Sequence, residues 1–125
     1  VIPSAPPQAT AAPAAVPALP CTPADALNAA ADWLDWNVWV QGCMQGPGEA
    51  CALTALGIVI RIPAQDDPRY PRAVRLLQAS SAALLAHIRT FDPAVTSVWM
   101  WNDADGQTKG DVVRALRAAA AETRR

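Results

Sequence analysis

Apolar positions recur at helical spacing in four stretches of the chain, and turn-forming residues divide each stretch from the next. Leu27, Ala30, Ala31 and Leu34 share a face, and Ala52, Leu53, Leu56 and Ile60 share another. A longer stripe runs through Val74, Leu77, Leu84, Leu85 and Ile88, and a last one through Val112, Val113, Leu116 and Ala119. Two of the four starts are signed. Thr22-Pro23-Ala24-Asp25 puts a threonine at N-cap, proline at the first helical position and an acid three residues on; Thr108 and Asp111 repeat the spacing. The third stretch opens at Asp67-Pro68 or Tyr70-Pro71 and stops at Thr90-Phe91-Asp92-Pro93. Between the first and second lies a loop with Gly42, Gly46, Pro47 and Gly48. The β-branched end of the second stretch, Gly57 to Ile62, also admits a strand. Val95 to Trp101 reads as a strand-like run or a turn.

The pattern predicts an all-α fold: a compact four-helix domain with long loops over residues 22–125. Residues 1–21 are different. They hold six prolines and no charged side chain, which predicts an extended Pro/Ala-rich arm. Such an arm is either a passive tail or a strap along a protein partner or a second copy. Apolar residues make up 52% of the 125, but many are alanine, so the larger side chains must close the core efficiently.

Charge changes the picture in one respect. The net charge of −1 argues against nucleic acid as the partner. Residues 1–60 carry Asp25, Asp32, Asp35 and Glu49 and no basic side chain, whereas all ten Lys and Arg lie beyond. That asymmetry predicts attraction between the halves of one fold, with a basic docking face around Arg69, Arg72 and Arg75 as the sharper alternative. No stretch has the length and apolarity of a membrane span, and the proline-broken N-terminus lacks the form of an export signal. Cys21, Cys43 and Cys51, odd in number, fit a reduced, cytoplasmic setting.

Five tryptophans dominate the aromatics. Trp33, Trp36 and Trp39 come at spacing three, so at most two share a buried face and one stands near a rim. These indoles either fill out an alanine-rich core or form a patch for a ligand or another protein. Trp39-x-Gln41-Gly42, then Cys51-Ala52-Leu53, then Trp101-Asn102-Asp103 with Gly106, Thr108 and Val112 resembles an uncharacterised family of small actinobacterial and actinophage proteins. The likeness covers roughly residues 24–121 and leaves out the arm. The chain departs from that family with Thr54-Ala55-Leu56 where a glycine often follows Cys-Ala-Leu, and with a shortened loop before Cys51. The resemblance implies no activity. It implies a phage or prophage setting, and with it a place in a virion as an alternative to the cytoplasm.

Catalytic chemistry has one candidate constellation. Cys51 stands at a predicted helix start, where aligned N–H groups favour a thiolate; His87 is the single histidine, and Asn102 or Asp103 would orient it. A histidine among Leu84, Leu85 and Ile88 is more commonly structural. Three cysteines, one histidine and scattered acids show no paired ligand spacing, so no metal and no cofactor is expected. Asp103 to Asp111 brushes a calcium loop but lacks its closing glutamate.

Trp101-Asn102-Asp103 admits two readings. As a folding clasp, Trp101 plugs the core, Asn102 and Asp103 form local Asx-turns, Gly106 takes positive φ and Thr108 starts the last helix. As a binding pocket, Gln41, Asn102 and Asp103 converge beside Trp39 and Trp101. The function expected from these features is a non-catalytic interaction or structural accessory module of a larger assembly. Its contacts would be residues 1–21, the tryptophan patch, or both. A small thiol-dependent enzyme using Cys51 and His87 is the alternative.

Overall fold

Thr22 begins the folded chain as its threonine-proline start requires: its hydroxyl accepts from the Asp25 N–H at 3.2 Å, and α1 runs Pro23–Trp36. The computed structural model describes residues 19–42 and 46–124. The arm before residue 19, and Cys43, lie outside the described residues. In order follow two-residue strands β1 (Val38–Trp39) and β2 (Glu49–Ala50), then helices α2 (Ala52–Ile60), α3 (Tyr70–Ile88), α4 (Val98–Asn102) and α5 (Lys109–Thr123).

The fold is mainly helical; it corrects the expected element list in two places and settles one alternative that the sequence left open. The described residues hold five helices, not four, because Ser97 caps a fifth: its hydroxyl accepts from Met100 N–H at 3.2 Å and turns Val98–Asn102 into α4. The β-branched end of α2 stays helical through Ile60, since Ala52, Ala55, Leu56 and Ile60 are buried at helical spacing. The loop between α1 and α2 contains a parallel pair, Val38 beside Glu49 and Trp39 beside Ala50, which two residues of alternation are too short to announce.

α1 and α5 run antiparallel, and their acids and bases meet. Arg124 reaches Asp25 at 3.0 Å at one end, Arg117 bridges Asp32 at 3.0 Å and Asp35 at 2.7 Å midway, and Lys109 Nζ donates to the Asn37 carbonyl at 2.8 Å at the other end. Three of the four acids in residues 1–60, Asp25, Asp32 and Asp35, are thus met by bases of the second half. Beneath this seam Leu27, Leu34, Leu56, Leu84, Ile88, Val112 and Leu116 are fully buried, with alanines between them. Alanine allows the helices to approach closely, and α1 packs chiefly against α5 and α2. No helix among the described residues is long and apolar enough to cross a membrane.

Candidate functional site

At the end of the bundle where α1 finishes and α5 begins, Asn102 is completely buried. Its side chain uses every hydrogen-bonding position it has. Oδ1 accepts from the indole N–H of Trp39 at 2.7 Å and from the backbone N–H of Ala52 at 3.0 Å. Nδ2 donates to the Val40 carbonyl at 3.1 Å and to Asp103 Oδ1 at 3.0 Å. One side chain thus fastens α4 to β1 and to the first turn of α2, where the helix N-terminal N–H would otherwise lack an acceptor.

The neighbours extend the same arrangement. Gln41 Nε2 donates to the carbonyls of Asn102 at 3.1 Å and Ala104 at 2.9 Å. Asp103 Oδ1 also accepts from the Gly42 N–H at 2.9 Å, and Gly42 bends there with φ +86°. Trp101 is buried, and its carbonyl accepts from Gln107 Nε2 at 2.9 Å. Gly106 takes φ +81° just before Thr108 caps α5 by accepting from the Asp111 N–H at 3.2 Å. Trp39, Gln41, Trp101, Asn102 and Asp103 therefore come together from segments more than sixty positions apart. Their bonds run across the fold rather than forming the local Asx-turns expected of Asn102 and Asp103, because β1 and α2 offer donors and acceptors that a lone turn does not.

Large apolar side chains are exposed at the end of α1, on β1 and on α4. Trp36 is 56% exposed and Val38 55%, flanking the tied Trp39. On α4, Trp99 is 61% and Met100 43% exposed, beside the buried Trp101. Trp33 and Trp39 are half-buried, so Trp36 is the rim member of the three. Asn102 joins β1, which carries Val38, to α4, which carries Trp99 and Met100, and Trp36 ends α1 just before β1.

Cys51 and His87 have different surroundings. Cys51 is buried and is the N-cap of α2; its sulfur accepts from the Thr54 N–H and donates to the Thr54 hydroxyl, both at 3.4 Å. Cys51 adjoins Ala52 and so stands beside Asn102. His87 Nδ1 lies 2.9 Å from Glu122 Oε2, and the ring meets Phe91 edge-on at 5.6 Å. Glu122 belongs to the last turn of α5 and Lys109 to its first, an axial rise of about 20 Å. The ring partners of His87 are therefore a carboxylate and an aromatic toward the far end of α5, and Asn102 is not its orienting group. No group of His, Cys, Asp and Glu suited to a metal occurs among the described residues.

Sequence reasoning missed the backbone half of the cluster, since the Val40 carbonyl and Ala52 N–H carry no residue signature. It also missed Asn37, whose Nδ2 donates to the Trp33 carbonyl at 2.8 Å and whose carbonyl receives Lys109. An asparagine directly after a helical stretch was the available signal.

Residues 19–122 match a family model described as "Family of unknown function (DUF6197)". No curated protein and no solved structure matches the chain.

Proposed function

Since the chain belongs to the family of unknown function DUF6197, whose description brings no activity with it, we propose from its own chemistry that it is a non-catalytic interaction module of a larger assembly. The observation that carries this reading is the set of four large apolar side chains, Trp36, Val38, Trp99 and Met100, left exposed at the end of α1, on β1 and on α4, the last two of which Asn102 ties together. Exposed tryptophan on a rigid backing is what a protein-binding surface uses: it offers large contact area at little cost in side-chain ordering. In this reading Trp39, Gln41, Trp101, Asn102 and Asp103 are the frame of the binding face, and the flanking indoles make the contact. Residues 1–21, of which 1–18 lie outside the described residues, are the second contact in this reading. A virion or prophage assembly is one setting for such a module, and that setting rests on the sequence resemblance alone.

The test is a double variant, Trp36→Ser with Trp99→Ser, compared with the wild-type chain in its natural host. The module reading expects a partner present at fixed stoichiometry with the wild-type chain and lost with the variant, at unchanged melting temperature. It fails if the same complexes form with both. Alkylation of Cys51 by iodoacetamide across pH addresses the enzyme alternative, which needs a thiol that reacts faster near neutrality than a free model thiol.

A further inference from the structure

At the other end of α2 the chain forms a cleft of about 410 Å³. Leu19, Pro20 and Cys21, leading into α1, make one wall. The end of α2 and the connection after it supply Ile60, Arg61 and Pro63, and the region opening α3 supplies Arg69, Arg72, Ala73 and Leu76. The volume falls in the range of pockets that take small molecules. Its apolar lining is continuous with the core through Ile60, which is 5% exposed.

Three arginines, Arg61, Arg69 and Arg72, line the cleft, and they are not equivalent. Arg69 is engaged: its Nε and Nη2 donate to the two carboxylate oxygens of Asp67 at 3.0 and 2.7 Å. Arg61 and Arg72 have no side-chain hydrogen bond or ion pair among the described residues. No acidic side chain lines the cleft. Arg61 is also the one non-glycine residue among those described with positive φ, +59°, at the C-cap of α2, where glycine is the usual occupant. A charged side chain thus occupies a strained position in the lining of the cleft, which a second arginine without a partner among the described residues also lines.

We propose that this cleft binds a small amphipathic anion, an unbranched apolar chain ending in one carboxylate. The chain lies against Ile60, Ala73 and Leu76, and the carboxylate is held by Arg61 and Arg72. Guanidinium groups suit a carboxylate because their planar forks match its two oxygens. An apolar body is required because isolated exposed arginines hold a small hydrophilic acid poorly against water and salt. The size of the cleft favours a free small acid over the acidic side chain of a protein partner, which would need a broader and flatter surface. This site is separate from the tryptophan face and does not depend on it.

The experiment is calorimetric titration of the full chain with decanoate, with decanol and acetate as controls, and backbone amide shifts to map the contact. Saturable decanoate binding is expected, with shifts at Ile60, Ala73 and Leu76, and decanol and acetate each weaker by roughly tenfold or more. Arg72→Gln weakens decanoate by a similar factor. Arg61→Gly does the same while raising the melting temperature, because it relieves the positive φ as it removes the charge; loss of binding then cannot be loss of fold. The proposal is overturned if decanol binds as tightly as decanoate, if both variants bind it unchanged, or if no binding occurs. It is equally overturned if the shifts gather at Trp99 and Met100. Cleft amides that move with protein concentration and not with decanoate would assign the cleft to a second copy instead.

Discussion

Asn102 shows how much one side chain can be asked to do. Four hydrogen bonds end on it; if it goes, the Trp39 indole N–H, the Ala52 N–H and the Val40 carbonyl lose this partner, whereas Asp103 keeps the Gly42 N–H. Each buried group stranded in this way costs about 1–3 kcal/mol. Asn102→Ala is therefore expected to lose about 3–4 kcal/mol in urea unfolding, an unusually large cost for a side chain so small. Ser80 is the opposite case. It is fully buried on the core face of α3, and its hydroxyl has no hydrogen-bond partner among the described residues. Ser80→Ala removes that unsatisfied group at almost no change in shape, so a gain of about 1 kcal/mol is expected in the same measurement. Asp67 supplies a reading against pH. Hydrogen bonds from the Arg69 side chain, then from the Arg69 N–H, lower its pKa from 3.8 to about 2. A depressed carboxylate pKa means that its contribution is complete above the unfolded value and disappears as pH falls through about 2. The Asp67 carboxyl carbon should titrate with a midpoint of about 2 in an NMR series, and Arg69→Gln should return it toward 3.8.

The helices were legible where local chemistry and apolar spacing agreed. Thr22 and Thr108 cap as their sequences require, and the buried positions of α1 and α5 fall on the faces that periodicity marks. What was hidden depends on partners distant in sequence. β1 and β2 exist because Val38 N–H finds the Gly48 carbonyl at 2.9 Å and Val40 N–H finds Ala50 at 3.1 Å, and two residues of strand leave no period to read. α4 was hidden because four consecutive apolar residues, Val98 to Trp101, show no period that separates helix from strand. Ser80 was hidden because the stripe on α3 was drawn from apolar residues alone, whereas helical geometry puts position 80 in line with Leu84 and Ile88. α2 retains a local inconsistency that can be put right. Gly57 lies inside the helix, and a Cβ added there would meet nothing within 4 Å. Gly57→Ala is expected to stabilise the chain by about 0.5–1 kcal/mol, by narrowing the freedom of the unfolded chain. A loss in denaturant titration would mean that α2 is not the regular helix described.

The seam between α1 and α5 sets two kinds of interaction side by side at consecutive positions, so the molecule itself provides the comparison. Leu116 is fully buried among the core residues. Arg117, next to it, has a side chain 42% exposed and bridges Asp32 and Asp35. Burial disfavours its charge, but the two carboxylates outweigh that effect and raise its pKa. If burial of apolar surface holds the helices together, Leu116→Ala should cost about 2–5 kcal/mol through lost contact and the cavity left behind. Arg117→Ala should cost about 1 kcal/mol or less, because water and the entropy of two long side chains offset an exposed ion pair. Salt separates the two terms further. Raising ionic strength to about 1 M shortens the screening length to about 3 Å, which should remove most of the Arg117 effect and leave the Leu116 effect intact. The reverse ranking would make the charge asymmetry of the two halves the main adhesive. Arg117 would then have to be far better shielded from solvent than its exposure allows. The seam is better understood as a register device: Asp25, Asp32 and Asp35 meet Arg124 and Arg117 in only one antiparallel alignment, while an alanine-rich face would tolerate several. Arg117→Ala should therefore broaden amide resonances along α5 more than its small effect on stability would suggest. Sharp, unshifted α5 resonances in that variant would show that Leu27, Leu34 and Leu116 fix the alignment by themselves.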